Sequence, residues 1–294
     1  MTHDASNASN ASDDRAPTPD PDQPGAFLPS PFSRAQFVAP RTGAERVPST
    51  PLPAGARRKV LVVCTDQRYM TMANGALFST GNHPVETLLP MYHLDQAGFE
   101  LEIATLSGES AKLEMWAMPV EDEIVRETLA RHQADFDRPR RLADVVAGLD
   151  GDAPYAAVFL PGGHGAMLGL PQSAELQRVY QWAQQHGRLV IALCHGPAAL
   201  LAGAASGMAE RFPFRGYEVC AFPDALDRQT PAIGYIPGPM PWFMGEQLSA
   251  LGVRILNEDI TGRCHLDRNL LTGDSPLASD AIGRLAVATL RAGS

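Results

Sequence analysis

Four short apolar runs, each closing on a turn, confine this chain to a narrow set of folds. They are residues 59–64 (KVLVVC), 101–106 (LEIATL), 155–160 (YAAVFL) and 189–193 (LVIAL). Most are apolar at nearly every position, which marks strands buried on both faces of a parallel sheet. Helical patterns separate them. One helix is predicted from about Pro84 to Gln96. Another carries Leu176, Val179 and Ala183 on one face and stops at Gly187. A last helix is announced by Ser275 as N-cap and Pro276 at its first position, with Ile282, Leu285 and Leu290 predicted inward. Repeated β-α-β units predict an α/β fold, a doubly wound and mostly parallel sheet with helices on both faces. Residues 107–150 are more polar and read as a small cap region beside that sheet.

The N-terminal stretch differs. Residues 1 to about 57 hold 10 of the 25 prolines and are rich in Ser, Asn and Asp. The tract 16–21 (APTPDP) is expected to stay extended and outside any ladder. Phe27, Leu28, Phe32, Phe37 and Val38 offer an apolar set to pin the later part of this arm onto the body, leaving about the first 25 residues free. Residues 1–45 are thus read as a flexible arm and 46–294 as the catalytic domain.

With 33 acidic against 24 basic residues the chain carries a formal charge of −9. That argues against nucleic acid or an anionic membrane as the main partner, because both require basic patches. No apolar run approaches the roughly 18 residues that span a bilayer, and the start has no secretory pattern. The four cysteines (Cys64, Cys194, Cys220, Cys264) are scattered without a CxxC pair. Reduced thiols and a cytoplasmic location are the expectation.

Chemistry concentrates at the strand ends. The run 189–193 passes straight into Cys194-His195-Gly196-Pro197. A buried strand ending in a nucleophile and turning at once into a helix is nucleophile-elbow geometry. It lifts Cys194 above the sheet edge, where α/β folds bind ligands, and the helix N-terminus is expected to favour thiolate. The preceding strand ends in Pro161-Gly162-Gly163-His164-Gly165. Its glycines leave amides free for an oxyanion, with the Cys194 and His195 amides as further donors. Glu86 follows Gly81-Asn82-His83-Pro84-Val85 in a first helical turn, as a cap or as a general acid/base. The loop 221–227 offers Asp224 and Asp227 to orient a histidine, and spacing leaves the choice between them open.

Taken together, these motifs resemble the ThiJ/PfpI branch of the class I glutamine-amidotransferase-like superfamily, and within it the HchA-type heat-shock group of glyoxalase III, protein deglycase and holding chaperone. The resemblance runs from about residue 59 to 292 and includes the strings 77–84 (LFSTGNHP), 221–224 (AFPD) and 271–276 (LTGDSP). It implies Cys194 as nucleophile, His195 as triad histidine, Asp227 as triad acid and Glu86 as acidic partner to the thiol. It also implies a metal site on Asp95, Glu100 and His132, where Asp95 replaces an expected histidine, a harder ligand set that tolerates zinc or other divalent ions. No cofactor is required for catalysis. The implied reaction is attack of Cys194 on a 2-oxoaldehyde such as methylglyoxal, giving D-lactate, or release of early adducts from glycated proteins and nucleotides. A homodimer is implied as well. A holding chaperone for unfolded clients is the alternative function, and a cysteine amidase or peptidase a more distant one.

Overall fold

The computed structural model describes residues 14–52, 59–207 and 209–292, so the first 13 residues of the arm and the expected change of pattern near Arg57 lie outside the described residues. The centre is a seven-stranded sheet. Its strands are β1 (Lys59–Val63), β2 (Glu100–Thr105), β3 (Arg140–Arg141), β4 (Tyr155–Leu160), β5 (Leu189–Leu193), β6 (Cys264–Asp267) and β7 (Leu270–Gly273). Their spatial order is β6-β7-β5-β4-β1-β2-β3, parallel throughout except for β6 against β7. The expected limits of the first two strands move by one residue, to Val63 and to Glu100–Thr105.

Strand side chains alternate between two apolar layers. Leu61, Val63, Val158, Leu160, Val190 and Ala192 share one core. Val60, Val62, Phe159, Ile191 and Leu193 share the other. Helix α1 (Pro84–Gln96) puts Leu88, Met91 and Leu94 into the second layer. Helix α2 (Glu123–Asp137) follows, and α3 (Ala174–Gln185) buries Leu176, Val179 and Ala183 in the first. Gly187 ends α3 at φ 59°, as its position predicted. Helix α4 (Ser279–Ala292) packs on α1. Pro276 opens a separate 3-10 turn, Pro276–Ala278, and Ser275 donates its hydroxyl to Asp274 rather than capping. Leu285 is 44% exposed, not inward. The buried face runs through Ile282, Gly283 and Ala286 because α4 lies so close to α1 that a Cβ on Gly283 would meet His93 at 2.6 Å. Region 107–150 holds α2, the helix Leu142–Ala147 and the edge strand β3.

The arm is corrected more sharply. Thr18–Pro19 pairs antiparallel with Ala26–Leu28, which runs parallel to Leu77–Ser79, itself antiparallel to Tyr69–Thr71. Pro19 is tolerated because its strand is the outer edge, where a missing N–H costs little. The helix Pro31–Phe37 follows, with Ser30 Oγ accepting from the Ser33 amide. The Ser30 and Ser33 hydroxyls both donate to the Ile233 carbonyl, at 3.0 and 2.7 Å. Residues 14–37 are therefore built into the body beside the carboxyl ends of the strands.

Candidate active site

Cys194 follows β5 with φ 59°, a left-handed backbone rarely adopted by a side-chain-bearing residue. Its amide donates to Gly273 O (2.9 Å) and its carbonyl accepts from Phe222 N (3.0 Å), so the turn is held on both sides. That engaged amide removes Cys194 from the expected oxyanion donors. The segment after the elbow, Gly196–Gly207, is a series of 3-10 turns rather than an α-helix. Instead of being lowered, the Cys194 thiol is pushed well up, first by burial and then by the charges of Glu86 and Asp227. The Gly163 amide acts the other way.

Glu86 stands in the first turn of α1, fully buried. The preceding loop is pinned by Asn82, whose side chain accepts from Thr65 N (3.0 Å) and donates to Thr65 O and Lys112 O (3.1 and 2.7 Å). Neither Glu86 oxygen finds a hydrogen-bond partner of standard geometry. Burial drives this carboxyl far above its usual range, and the charges of Glu114 and Asp274 add to it. The Cys194 thiol and the Gly163 amide favour its anion but do not outweigh burial. Acid and thiol together therefore hold on to protons, because two adjacent buried anions are too costly.

Gly162 makes this approach possible. A Cβ there would lie 1.9 Å from Glu86 Oε2, 2.6 Å from Leu193 O and 2.8 Å from Cys194 Cβ. At φ 98°, Gly163 leaves its amide to act on both Cys194 and Glu86.

His195 joins the nucleophile to an acid. Its Nδ1 lies 3.4 Å from Cys194 Sγ and its Nε2 2.9 Å from Asp227 Oδ2. The two loop acids separate here. Asp224 accepts the Gly245 and Glu246 amides at 2.8 Å each, capping the helix Met244–Ala250, while Asp227 turns inward and is 1% exposed. Burial opposes Asp227's charge, yet His195 and His164 together keep it well below the usual carboxylate range.

Two neighbours were not legible as site residues. His164 Nε2 lies 3.1 Å from Asp227 Oδ1, and its ring sits 3.9 Å from that of His195. Its only sequence signal was its place in the Gly-Gly-His-Gly turn. Glu114, buried and accepting from Thr80 Oγ1 at 2.6 Å, is pushed up to about 7 by burial, against the opposing pull of His164 and Thr80. It comes from a polar loop with no motif. Half-buried Tyr235 forms the outer wall, its ring 5.7 Å from Trp116, 6.1 Å from Phe37 of the arm and 6.2 Å from His164.

The implied metal trio does not come together. His132 Nε2 is 2.8 Å from Asp95 Oδ2, but its Nδ1 is 3.2 Å from Asp135, and Arg131 lies 3.6 Å from the same Asp95 oxygen. Burial works against a charged ring, yet the hydrogen bonds to Asp95 and Asp135 hold His132 above its ordinary value. Among the described residues, Asp95, Glu100 and His132 do not all three converge within ligand reach, although His132 and Asp95 touch. The donors that do converge are those of His164, His195 and Asp227, and Asp227's two imidazole contacts account for that convergence. An ion-paired imidazole beside an arginine does not fit a divalent cation, and no step is derived through one.

Residues 76–210, which contain Glu86, Gly162, Gly163, Cys194 and His195, match the DJ-1/PfpI family. A solved glyoxalase III from Candida albicans shares the fold with a TM-score of 0.63 at 20% identity, over 80% of this chain and 98% of that one. The chain belongs to the DJ-1/PfpI family. Within it the likeness narrows to the HchA group: the protein/nucleic acid deglycase HchA of Pseudomonas aeruginosa is 53% identical over 278 residues, 94% of this chain and 95% of that protein. HchA of Escherichia coli is 53% identical over 261 residues, 89% of this chain and 90% of that protein.

Proposed function

We propose that this chain is a cysteine-dependent glyoxalase and deglycase, acting on 2-oxoaldehydes such as methylglyoxal and on their early adducts with proteins and nucleotides. The observation that carries this reading is the buried Glu86 carboxyl set against Cys194 across Gly162. Asp227 is ionised and can only accept, so His195 presents N–H to it and turns the Nδ1 lone pair to the thiol. As Sγ attacks the aldehyde carbon, His195 takes its proton and the Gly163 amide meets the developing oxyanion. Glu86 gives its own proton to the new alkoxide, which becomes the hemithioacetal hydroxyl, and is then a strong base because burial destabilises its anion. It moves the proton from the aldehyde carbon to its neighbour through an enediol, leaving a 2-hydroxy thioester. Water then releases a 2-hydroxy acid, D-lactate from methylglyoxal, and the free thiol; substrate plus one water balances the product. An early adduct presents the same carbon as a hemiaminal: Sγ bonds to it as its C–N bond breaks, the amine leaves with the thiol's proton carried by His195, and the hemithioacetal left behind follows the same course. No redox carrier enters either sequence.

The decisive experiment follows D-lactate from methylglyoxal without added thiol, for wild type, Cys194→Ala and Glu86→Gln. Both variants are expected to fall by about 10²-fold or more. Wild-type turnover by Cys194→Ala would overturn the reading.

Location and assembly belong to the same proposal. No helix among the described residues is long and apolar enough to cross a membrane, and all four cysteines are free thiols. The free thiols fit a reducing compartment such as the cytoplasm. Sedimentation tests the homodimer. A holding-chaperone activity is supported by exposed Phe37 (54%), Met115 (56%) and Val120 (66%), and is tested by suppression of client aggregation with Cys194→Ala.

A further inference from the structure

Asp227 serves two imidazoles. Oδ2 faces His195 Nε2 at 2.9 Å and Oδ1 faces His164 Nε2 at 3.1 Å, with all three side chains buried. An ionised carboxylate can only accept, so His164 carries hydrogen on Nε2 just as His195 does. The two rings lie 3.9 Å apart at 33°, and Phe222 stacks on the far side of His195 at 4.8 Å. Phe78 stands edge-on to His164 at 5.6 Å and Tyr235 lies 6.2 Å from it. His164 therefore has no room to swing away, and nothing else among the described side chains donates to Oδ1.

We propose that His164 is a positioning residue: its N–H fixes Asp227 in the rotamer that keeps His195 turned toward Cys194. The proposal rests on the cysteine-dependent reading above. Without that N–H, Oδ1 would be a buried carboxylate oxygen lacking a partner, and the carboxylate would turn or draw in water. The whole charge of Asp227 would then fall on His195, favouring the imidazolium, which cannot accept the thiol proton. The charged and titratable groups facing the pair are Cys194, Glu86, Glu114, His83 and Tyr235. Burial, reinforced by His164 and His195, brings His83 down to about 3, so it stays neutral through the working range.

Two variants separate positioning from packing: His164→Phe keeps a ring but loses the donor, and His164→Gln keeps a donor. Two profiles are recorded against pH, kcat/KM for methylglyoxal and the rate of Cys194 alkylation by iodoacetamide. The second needs no turnover, so it reads the proposal even if methylglyoxal is not the substrate. In His164→Phe, kcat/KM at neutral pH is expected to fall by about tenfold or more, the value of a charge-assisted hydrogen bond. The acid limb of alkylation should move to higher pH by about one unit. His164→Gln should remain within about threefold of wild type. An unchanged His164→Phe overturns the proposal, as does an equal fall in both variants with native near-ultraviolet circular dichroism. Should His164→Phe fail to fold, His164→Ala, which also lacks the donor, is compared in wild-type and Asp227→Asn backgrounds. An effect that vanishes with Asp227→Asn supports action through the acid; an undiminished one refutes it.

Discussion

Glu86 and Cys194 face each other across a space that will not admit one methyl group. A Cβ on Gly162 would lie 1.9 Å from the Glu86 carboxylate and 2.8 Å from the cysteine Cβ. The carboxyl arrives from the first turn of α1 and the thiol from the end of β5, elements far apart in the chain. Both groups are pushed toward their protonated forms. The pair is thus a proton reservoir until a carbonyl takes over the sulfur.

Gly162→Ala must displace Glu86, Cys194 or the Leu193 carbonyl. A misplaced acid weakens proton transfer, so methylglyoxal turnover is expected to fall by about 10²-fold or more. Stability should fall by about 1–3 kcal/mol, the usual result of overpacking. Steady-state kinetics and thermal unfolding check the two parts.

Cys194 sits at φ 59°. Removing the thiol through alanine retains that strain, whereas Cys194→Gly relieves it. Both variants should be inactive, and the glycine variant should exceed alanine in stability by about 1 kcal/mol. Denaturant titration of the two proteins measures the difference.

Glu114 links stability to pH. Its pKa is raised to about 7 by burial, above its unfolded value, so its contribution is fully present in acid and is lost as pH rises toward 7. Replacement by Gln preserves an acceptor for Thr80 and removes the ionisation. Between about pH 4.5 and 7.5, wild type should lose up to about 3 kcal/mol relative to Glu114→Gln. Unfolding midpoints at several pH values test the sign. Asp227 runs the opposite way, its contribution being lost only as the medium becomes strongly acidic.

The Ile233 carbonyl takes hydroxyl bonds from Ser30 and Ser33 and lies two residues before Tyr235. Replacing both serines by alanine strips those donors from a partly buried acceptor, at a cost of about 1–3 kcal/mol. The melting temperature should drop by a few degrees, and KM for methylglyoxal should rise as the outer wall of the site loosens. Either serine alone should show less than half the effect.

Much of this was open to reading from the residues, for identifiable reasons. Strands β4 and β5 were found at their full limits because they are buried on both faces and lack polar interruptions. Cys194, Gly162 and Glu86 stood out because each is a chemically marked residue at an element boundary. Local patterns could not reveal contacts made across the fold. His164 gains its meaning from Asp227, 63 positions away. Leu285 obeyed helical spacing, but close approach of α1 to α4 turned Gly283 inward instead. The thiol's direction of shift failed for a related reason: a dipole argument counts neighbours in the chain, while burial and Glu86 act through space.

The pairing of Ala26–Leu28 with Leu77–Ser79 also covers one side of that inner strand. Clipped ahead of residue 29, the chain would leave the main-chain groups of Leu77–Ser79 unmet on one side, next to Phe78. Such a bare margin is a template for strand addition, and a second clipped copy supplies the matching segment. Damage by a protease at the N-terminus would then turn the folded chain into a seed for self-association.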